Sequence, residues 1–323
     1  MGLSRRQIIG AGAASAALAP LFIRGPALAQ DLTAGDAAIA AGQDGDSHMT
    51  IDVAINGRGP FQFVVDTGAD RSVLADTTVA ALNLPAGAPV MVEGVVRTVA
   101  APTAEVGAIT FGYKEVENLH LPVLPRAWLR ADGFIGLDML NNALVTFDFR
   151  NERLLVERSR GGWLLGTMSP FEDAIAAGGS GGHLRVLNCR VDGIFTAVFI
   201  DTGAEVSVGN EALFVALKSQ NSDYRQAVEG VRLAGVTGGE LIGQVADFHK
   251  IKIRDVTFTN GTIAFVDLQI FTLWDLADRP ALLVGMNFLR QFSRVSIDFG
   301  RKAFLFQVSA RPPLMAAREH PVG

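Results

Sequence analysis

The stretch Val64-Val65-Asp66-Thr67-Gly68-Ala69-Asp70 decides the fold, because it returns in the second half of the chain as Phe199-Ile200-Asp201-Thr202-Gly203-Ala204-Glu205. In each copy an apolar, strand-like run ends in Asp-Thr-Gly. Two such strand ends in one chain place two carboxylates at matching positions of two halves. The repeat therefore predicts two related lobes that face each other across a pseudo-twofold axis.

The repeat extends to both sides of the two aspartates. Each aspartate follows a predicted hairpin, with Asn56-Gly57 as the turn in the first half and Asp192-Gly193 in the second. Downstream, the segment 133–140 corresponds to 282–289, and each is followed by two more apolar strands. Each half is thus predicted to be a complete lobe.

The composition indicates a folded, mainly β chain of two domains. It has 323 residues, of which 49% are hydrophobic and 19% charged, so it can bury a substantial core. The net charge is −5, and without the first 29 residues, which carry three arginines and no acid, it is −8. A chain of that sign is a poor partner for phosphate backbones, so no nucleic-acid partner is expected.

Residues 1–29 have the pattern of an export signal. The twin arginines Arg5 and Arg6 precede a mildly apolar stretch that ends in Ala27-Leu28-Ala29, a small-x-small cleavage site. We expect export by the twin-arginine pathway to the periplasm or the medium, with no stable membrane span once the signal is removed. An uncleaved N-terminal anchor is the alternative.

The remaining chain divides at stretches rich in Gly, Ser and Pro. The predicted first lobe is 30–157, the linker 158–182, the second lobe 183–310 and a flexible tail 311–323. Short helices are predicted at 171–177 inside the linker and at 211–218.

Metal and cofactor chemistry finds little support in the sequence. Cys189 is the only cysteine, which excludes an intramolecular disulfide and a thiolate cluster and indicates a buried, inert thiol. The five histidines have no metal-ligand spacing. We expect neither a metal nor a cofactor.

The paired motifs resemble those of the retropepsin-like aspartic proteases, and the resemblance covers nearly all of the chain after residue 29, twice. It implies two homologous β-barrel lobes around a central cleft, here fused in one chain that acts as a monomer. It also implies roles for ten residues. These are the catalytic Asp66 and Asp201, the supporting Thr67, Gly68, Thr202 and Gly203, and Ile135, Gly136, Val284 and Gly285 in the ψ-shaped loops beside them.

Paired carboxylates suit the hydrolysis of a peptide bond. Two carboxylates about 3 Å apart cannot both ionise cheaply, so they share a proton and titrate as a pair. One can deprotonate a bound water while the other protonates the peptide carbonyl or donates a hydrogen bond to it.

Each lobe of this family also supplies a hairpin flap that closes over substrate. The candidate tips are Glu93-Gly94 in the first lobe and residues 235–239 in the second, with Gly235, Thr237 and Gly238 as candidate contacts; ordinary solvated hairpins are the alternative. Trp128 and Trp274 lie in predicted loops that border the cleft. Packing of both rings into the core is equally compatible with the sequence.

The sequence departs from the retroviral pattern after the ψ-loop glycines. Those enzymes commonly have an arginine there, which pairs with the acid that ends the Asp-Thr-Gly motif. This chain has Leu137 and Met286 instead. The partners of Asp70 and Glu205 are therefore not predicted by the resemblance.

The expected function is that of an aspartic endopeptidase whose substrate is a peptide or protein bound in extended form. The rival hypothesis is a non-catalytic periplasmic peptide-binding module that keeps the fold. A narrower alternative is an enzyme that cleaves a single partner protein.

Overall fold

A computed structural model of the protein describes residues 38–40, 42–43, 49–159, 174–176, 184–221, 224–225, 227–253 and 256–307. Within these ranges the chain forms 21 strands and six α-helices. The predicted signal (1–29) and tail (311–323) lie outside them, as does most of the predicted linker.

The elements of the first half are β1 (Ala38–Ala40), β2 (Gly42–Gln43), β3 (Met49–Ile55), β4 (Arg58–Val65), β5 (Val73–Ala75), α1 (Asp76–Leu82), β6 (Ala86–Glu93), β7 (Thr98–Phe111), β8 (Lys114–Leu124), α2 (Arg126–Leu129), β9 (Gly133–Ile135), α3 (Leu137–Leu140), β10 (Ala143–Asp148) and β11 (Arg153–Arg158). Those of the second half are β12 (Ala174–Ala176), β13 (Leu184–Val191), β14 (Ile194–Ile200), β15 (Val208–Gly209), α4 (Glu211–Gln220), β16 (Val228–Ala234), β17 (Glu240–Ile253), β18 (Val256–Phe265), α5 (Gln269–Leu273), β19 (Ala281–Val284), α6 (Met286–Leu289), β20 (Arg294–Asp298) and β21 (Ala303–Gln307).

Each half contains a closed ring of six strands. The first ring runs β3-β4-β9-β5-β8-β7 and closes through pairing of β7 with β3; the second runs β13-β14-β19-β15-β18-β17 and closes through pairing of β17 with β13. In both rings the same two contacts are parallel, β4 with β9 and β5 with β8 in the first, β14 with β19 and β15 with β18 in the second. The predicted mainly β fold with two barrel-like lobes is therefore confirmed.

The hairpins that open the two rings have the turn chemistry predicted for them. Asn56 and Gly57 have φ values of 50° and 72°, and Asp192 and Gly193 have values of 43° and 93°. Asn, Asp and Gly tolerate this left-handed backbone, which matches the twist of a two-residue hairpin. Inward-facing apolar side chains on the paired strands, such as Ile51, are fully buried in the core.

A third sheet joins the two halves. Its order is β1-β11-β10-β20-β21, so that β10 of the first half pairs antiparallel with β20 of the second. At the centre of this pairing, Thr146 lies opposite Ser296 with their hydroxyl oxygens 2.9 Å apart, both buried. The two rings are thus tied by backbone hydrogen bonds as well as by side chains.

A charged pair lies at one end of the paired strands β10 and β20. Asp148 lies opposite Arg294 in the register, and its buried carboxylate accepts hydrogen bonds from Arg294 Nη2 and from the backbone and side-chain amides of Asn151. Burial raises the pKa of Asp148, but the hydrogen bonds from Arg294 and Asn151 together outweigh it and hold the pKa below its ordinary value.

We predict that Asp148→Asn lowers the free energy of unfolding by about 1–3 kcal/mol at pH 7, because Arg294 loses its charged partner. Since the folded-state pKa is lowered, the ionised carboxylate stabilises the fold fully above its unfolded-state pKa of about 3.9. This stabilisation is lost as the pH falls through the folded-state pKa. Denaturant unfolding from pH 7 to pH 2 should therefore show the difference between the two proteins shrinking with acid. Asp247→Asn, at an exposed position, is the control; a pH-independent difference at position 148 would contradict the assignment.

Two helix predictions have different outcomes. The helix predicted at 211–218 is confirmed as α4, capped by Asn210, whose side chain accepts from Leu213 N. The helix predicted at 171–177 is wrong for its described part, since residues 174–176 form β12, which pairs antiparallel with β13. Strand pairing with the ring edge overrides the weak local preference.

Among the described helices, none combines the length and apolar character that crossing a membrane requires.

Candidate active site

The two aspartates follow directly on central strands of the two rings. Asp66 comes after β4 and its N–H donates to Ile135 O at 2.9 Å; Asp201 comes after β14 and its N–H donates to Val284 O at 2.9 Å. Parallel pairing of these strands with β9 and β19 fixes where they end. Both aspartates are buried, with 8% and 6% of their surface exposed.

The glycines bring the two aspartates together. Gly68 N donates to Asp66 Oδ1 at 2.8 Å, and Gly203 N donates to Asp201 Oδ1 at 2.9 Å. A Cβ placed on Gly68 would lie 2.6 Å from Cγ of Asp201, and one on Gly203 would overlap Cγ of Asp66 in the same way. Each carboxylate therefore contacts the glycine of the opposite half, so the two acids converge, and no residue with a side chain fits at either glycine.

The threonines tie the two loops by reciprocal hydrogen bonds. Thr67 Oγ1 accepts from Thr202 N at 3.0 Å and donates to Ile200 O at 2.9 Å; Thr202 Oγ1 accepts from Thr67 N at 3.1 Å and donates to Val65 O at 2.7 Å. Both side chains are buried. All four bonds cross between the halves, so they fix the relative position of the two aspartate loops.

The ψ-loop glycines lie directly under the aspartate loops. A Cβ atom added to Gly136 would lie 2.8 Å from Ala69 O, and one added to Gly285 would lie 2.6 Å from Ala204 O. These are backbone atoms that cannot move aside. The N–H groups of the residues that follow, Leu137 and Met286, donate to the same two carbonyls at 2.8 Å.

Sequence reasoning missed a pair of polar contacts that hold these loops. Ser72 Oγ donates to Asp138 Oδ1 at 2.7 Å and accepts from Gly136 N at 2.9 Å. In the second half Ser207 Oγ donates to Asn287 Oδ1 at 2.7 Å and accepts from Gly285 N at 3.0 Å. The signal was in the repeat, because each serine lies six residues after its aspartate and each acid or amide lies two residues after its glycine.

The residues that replace the expected arginines are buried apolar side chains. Leu137 and Met286 are 6% and 2% exposed and belong to the main core cluster. Asp70 O and Glu205 O accept from the backbone N–H groups of Asp138 and Asn287. Backbone hydrogen bonds and the serine contacts thus hold each loop.

Both candidate flap tips are hairpin turns, and the two turns touch. The first joins β6 to β7, with Glu93 ending β6 and Gly94 N donating to Arg97 O at 3.1 Å. The second joins β16 to β17, with Gly235 N donating to Gly239 O at 3.3 Å. Between them, Arg97 Nε donates to Thr237 O at 2.9 Å and Thr237 Oγ1 donates to Arg97 O at 2.8 Å. Thr237 is fully buried, so the described flaps meet in a closed arrangement.

Each flap also packs on the opposite half. Val95 lies against the apolar cluster that contains Phe199 and Leu283, and Val236 lies against the cluster that contains Val64 and Phe134. The apolar tips therefore cover the strands that carry the two aspartates.

The two tryptophans lie in different environments. Trp128 belongs to the short helix α2 rather than to a loop, and 37% of its surface is exposed. The centre of its ring lies 5.4 Å from the Arg97 guanidinium, and the ring lies next to Gly238. Trp274 ends α5 and stacks on Phe199 with ring centroids 4.6 Å apart. Trp128 thus borders the second flap, whereas Trp274 packs against the core of the second lobe.

A comparison with known proteins finds a similarity in the first of these lobes. Residues 51–142 match a family described as gag-polyprotein putative aspartyl protease. The resemblance to retropepsin-like aspartyl proteases is therefore confirmed for this range, which includes Asp66, Gly68 and Gly136 and covers nearly all of the first ring. No curated protein matches the chain.

The described residues contain no group of three or more His, Cys, Asp or Glu side chains arranged to hold a metal ion. At the two Asp-Thr-Gly loops, the polar groups that come together are the two carboxylates, the glycine N–H groups and the threonine hydroxyls. Two buried carboxylates that each contact the glycine of the opposite half are suited to acid–base chemistry.

Proposed function

We propose that the protein is an aspartic endopeptidase in which Asp66 and Asp201, one from each lobe, activate a water molecule to hydrolyse peptide bonds. The observation that carries this proposal is the reciprocal contact of each carboxylate with the glycine of the opposite lobe. A peptide-binding module without activity gains nothing from two buried carboxylates that repel each other.

The chemistry requires the pair to hold one proton in the resting state. The ionised carboxylate takes a proton from water as the water oxygen attacks the peptide carbonyl carbon, while the protonated carboxyl gives its proton to the carbonyl oxygen. A tetrahedral diol results, with the two acids again sharing one proton. Transfer of a proton to the peptide nitrogen then breaks the C–N bond, releasing a carboxylic acid and an amine. No covalent intermediate forms.

The surrounding groups keep the carboxylates in position for both steps. The N–H groups of Gly68 and Gly203 hold one oxygen of each carboxylate at 2.8 and 2.9 Å. The reciprocal threonine bonds keep the two loops from sliding apart. This preorganisation lowers the barrier because little rearrangement accompanies the transfer of charge.

The flaps support binding of an extended peptide. Backbone groups of the hairpins can pair with a substrate strand of any sequence, while alternate side chains meet the apolar clusters on either side. Because the flap tips contact each other through Arg97 and Thr237, substrate entry requires them to separate first. Glu93, Gly94, Gly235 and Gly238 are the flap residues that we propose to be nearest the substrate, with Trp128 at one end of the cleft.

We also propose that the enzyme acts as a monomer after export. One chain supplies both aspartates, so a second copy is not needed to complete the site. The twin arginines at positions 5 and 6 support export, which would place cleavage in the periplasm or the medium.

The test is to incubate the purified protein with an unfolded protein and a peptide library from pH 2 to pH 8. Cleavage should follow a bell-shaped pH profile, because the active pair holds a single proton. Capture of peptides without cleavage at any pH would instead support the peptide-binding module.

A further inference from the structure

A cavity of about 280 Å³ opens on the second lobe, away from the aspartates. Its walls come from β13, β14 and the segment that precedes β19, and include Arg185, Ala197 and Arg279. Ala197 lies four residues before Asp201 on β14, which corresponds to roughly 13 Å along the strand. The cavity is therefore separate from the site described above.

In the first lobe a polar side chain occupies the position that corresponds to Ala197. Gln62 lies four residues before Asp66, as Ala197 does before Asp201. Its side chain donates to Asp52 Oδ1 at 2.6 Å and accepts from Thr50 Oγ1 at 2.8 Å, and its backbone N–H donates to Asp132 Oδ2 at 2.8 Å. The polar groups there satisfy one another and include two carboxylates.

The second lobe has lost these acceptors and gained a cation. The two lobes can be aligned on their aspartates and on their ψ-loop glycines. In this alignment the second lobe has Ala197 in place of Gln62, Ala281 in place of Asp132 and Leu187 in place of Asp52. Arg185 takes the position of Thr50. Its Nε is buried and has no hydrogen-bond partner among the described residues. A buried guanidinium N–H without an acceptor is costly, so an acceptor is expected at this point.

The surroundings specify the chemistry of that acceptor. Arg279 lines the cavity and is paired with Asp275 at 2.9 Å, and Arg190 lies over the ring of Phe195, which is 62% exposed at the cavity wall. The remaining walls are mostly apolar and include Leu276 and Pro280; the hydroxyl of Thr196, which also lines the cavity, donates to Ile194 O. A positive group beside an apolar surface matches a carboxylate that carries an apolar side chain.

We propose that this cavity binds a small organic carboxylate, with the anion on Arg185 and the apolar part against Phe195 and Leu276. The site does not depend on proteolysis. A peptide with a free apolar C-terminal residue, such as an endopeptidase releases, has this chemistry.

The test is calorimetric titration of the full chain with N-acetyl-L-leucine and, separately, with N-acetyl-L-leucinamide, which lacks the negative charge. We expect the acid to bind one site at least tenfold more tightly than the amide. Arg185→Gln and Ala197→Gln, the latter introducing the residue of the first lobe, should each weaken the acid at least tenfold with little change in the unfolding midpoint. Asp66→Asn should leave this affinity unchanged.

Equal affinity for acid and amide would overturn the proposal, as would loss of binding in Asp66→Asn, which would put the ligand in the cleft. Glu172 and Asp173 lie outside the described residues and precede β12, which pairs with β13 beside Arg185. Binding that appears only in the double variant Glu172→Gln/Asp173→Asn would show that the chain's own acids fill the cavity, and would equally overturn it.

Discussion

Replacing either Asp66 or Asp201 by asparagine is expected to abolish peptide cleavage, with kcat reduced at least about 10³-fold. Asparagine has the shape of aspartate, and its amide oxygen can still accept the N–H of the neighbouring glycine at 2.8 or 2.9 Å. It cannot, however, take a proton from water or hold the shared proton. The unfolding midpoint should therefore change little while activity disappears.

The assay compares cleavage of the best library peptide by the wild type and both variants. Asp247→Asn is the matched control, because it makes the same chemical change at an exposed position of β17. Full activity in either dyad variant would show that one carboxylate suffices and would overturn the shared mechanism. Because the two aspartates act as a unit, the double variant should be no worse than either single one.

Replacing Thr202 by valine is expected to weaken both the fold and the activity. Valine keeps the volume of threonine but removes the hydroxyl, which leaves Thr67 N–H and Val65 O buried without their partners. At about 1–3 kcal/mol for each unsatisfied group, the free energy of unfolding should fall by about 2–6 kcal/mol. Since Thr202 follows Asp201 directly, kcat/KM should also fall, by roughly 10- to 100-fold.

Thr202→Ser provides the control, because serine keeps the hydroxyl and loses only a methyl group. Denaturant unfolding and peptide cleavage are measured on both variants. If valine and serine had the same effect on both quantities, the cross-lobe hydrogen bonds would not be what holds the two loops together.

Several of the predictions that the structure confirms concern elements whose chemistry is local. Asn56-Gly57 and Asp192-Gly193 supply two residues that accept a positive φ, and this identifies a hairpin turn from sequence alone. The glycines at 68 and 203 also have a detectable signal, because the motif recurs. Their close contact with the opposite carboxylate nevertheless became visible only with the structure.

Other contacts between distant segments were the part that the sequence could not predict. The bonds of Ser72 to Asp138 and of Ser207 to Asn287 join residues 66 and 80 positions apart. The repeat places both pairs at matching positions, but spacing alone does not show that the side chains meet. The same holds for the packing of Val95 on the second lobe. The helix expected at 171–177 was wrong for a related reason, since pairing with β13 decides the conformation of residues 174–176.

Selective ¹³C labelling of aspartate carboxyl groups, followed by NMR through a pH titration, tests the central claim most directly. If Asp66 and Asp201 share a proton, they titrate in two separated steps, one below and one above the ordinary value of about 3.9, and in Asp201→Asn the signal of Asp66 collapses to a single step. Two carboxyls that each titrate once near the ordinary value, unaffected by replacement of the other, would contradict the account.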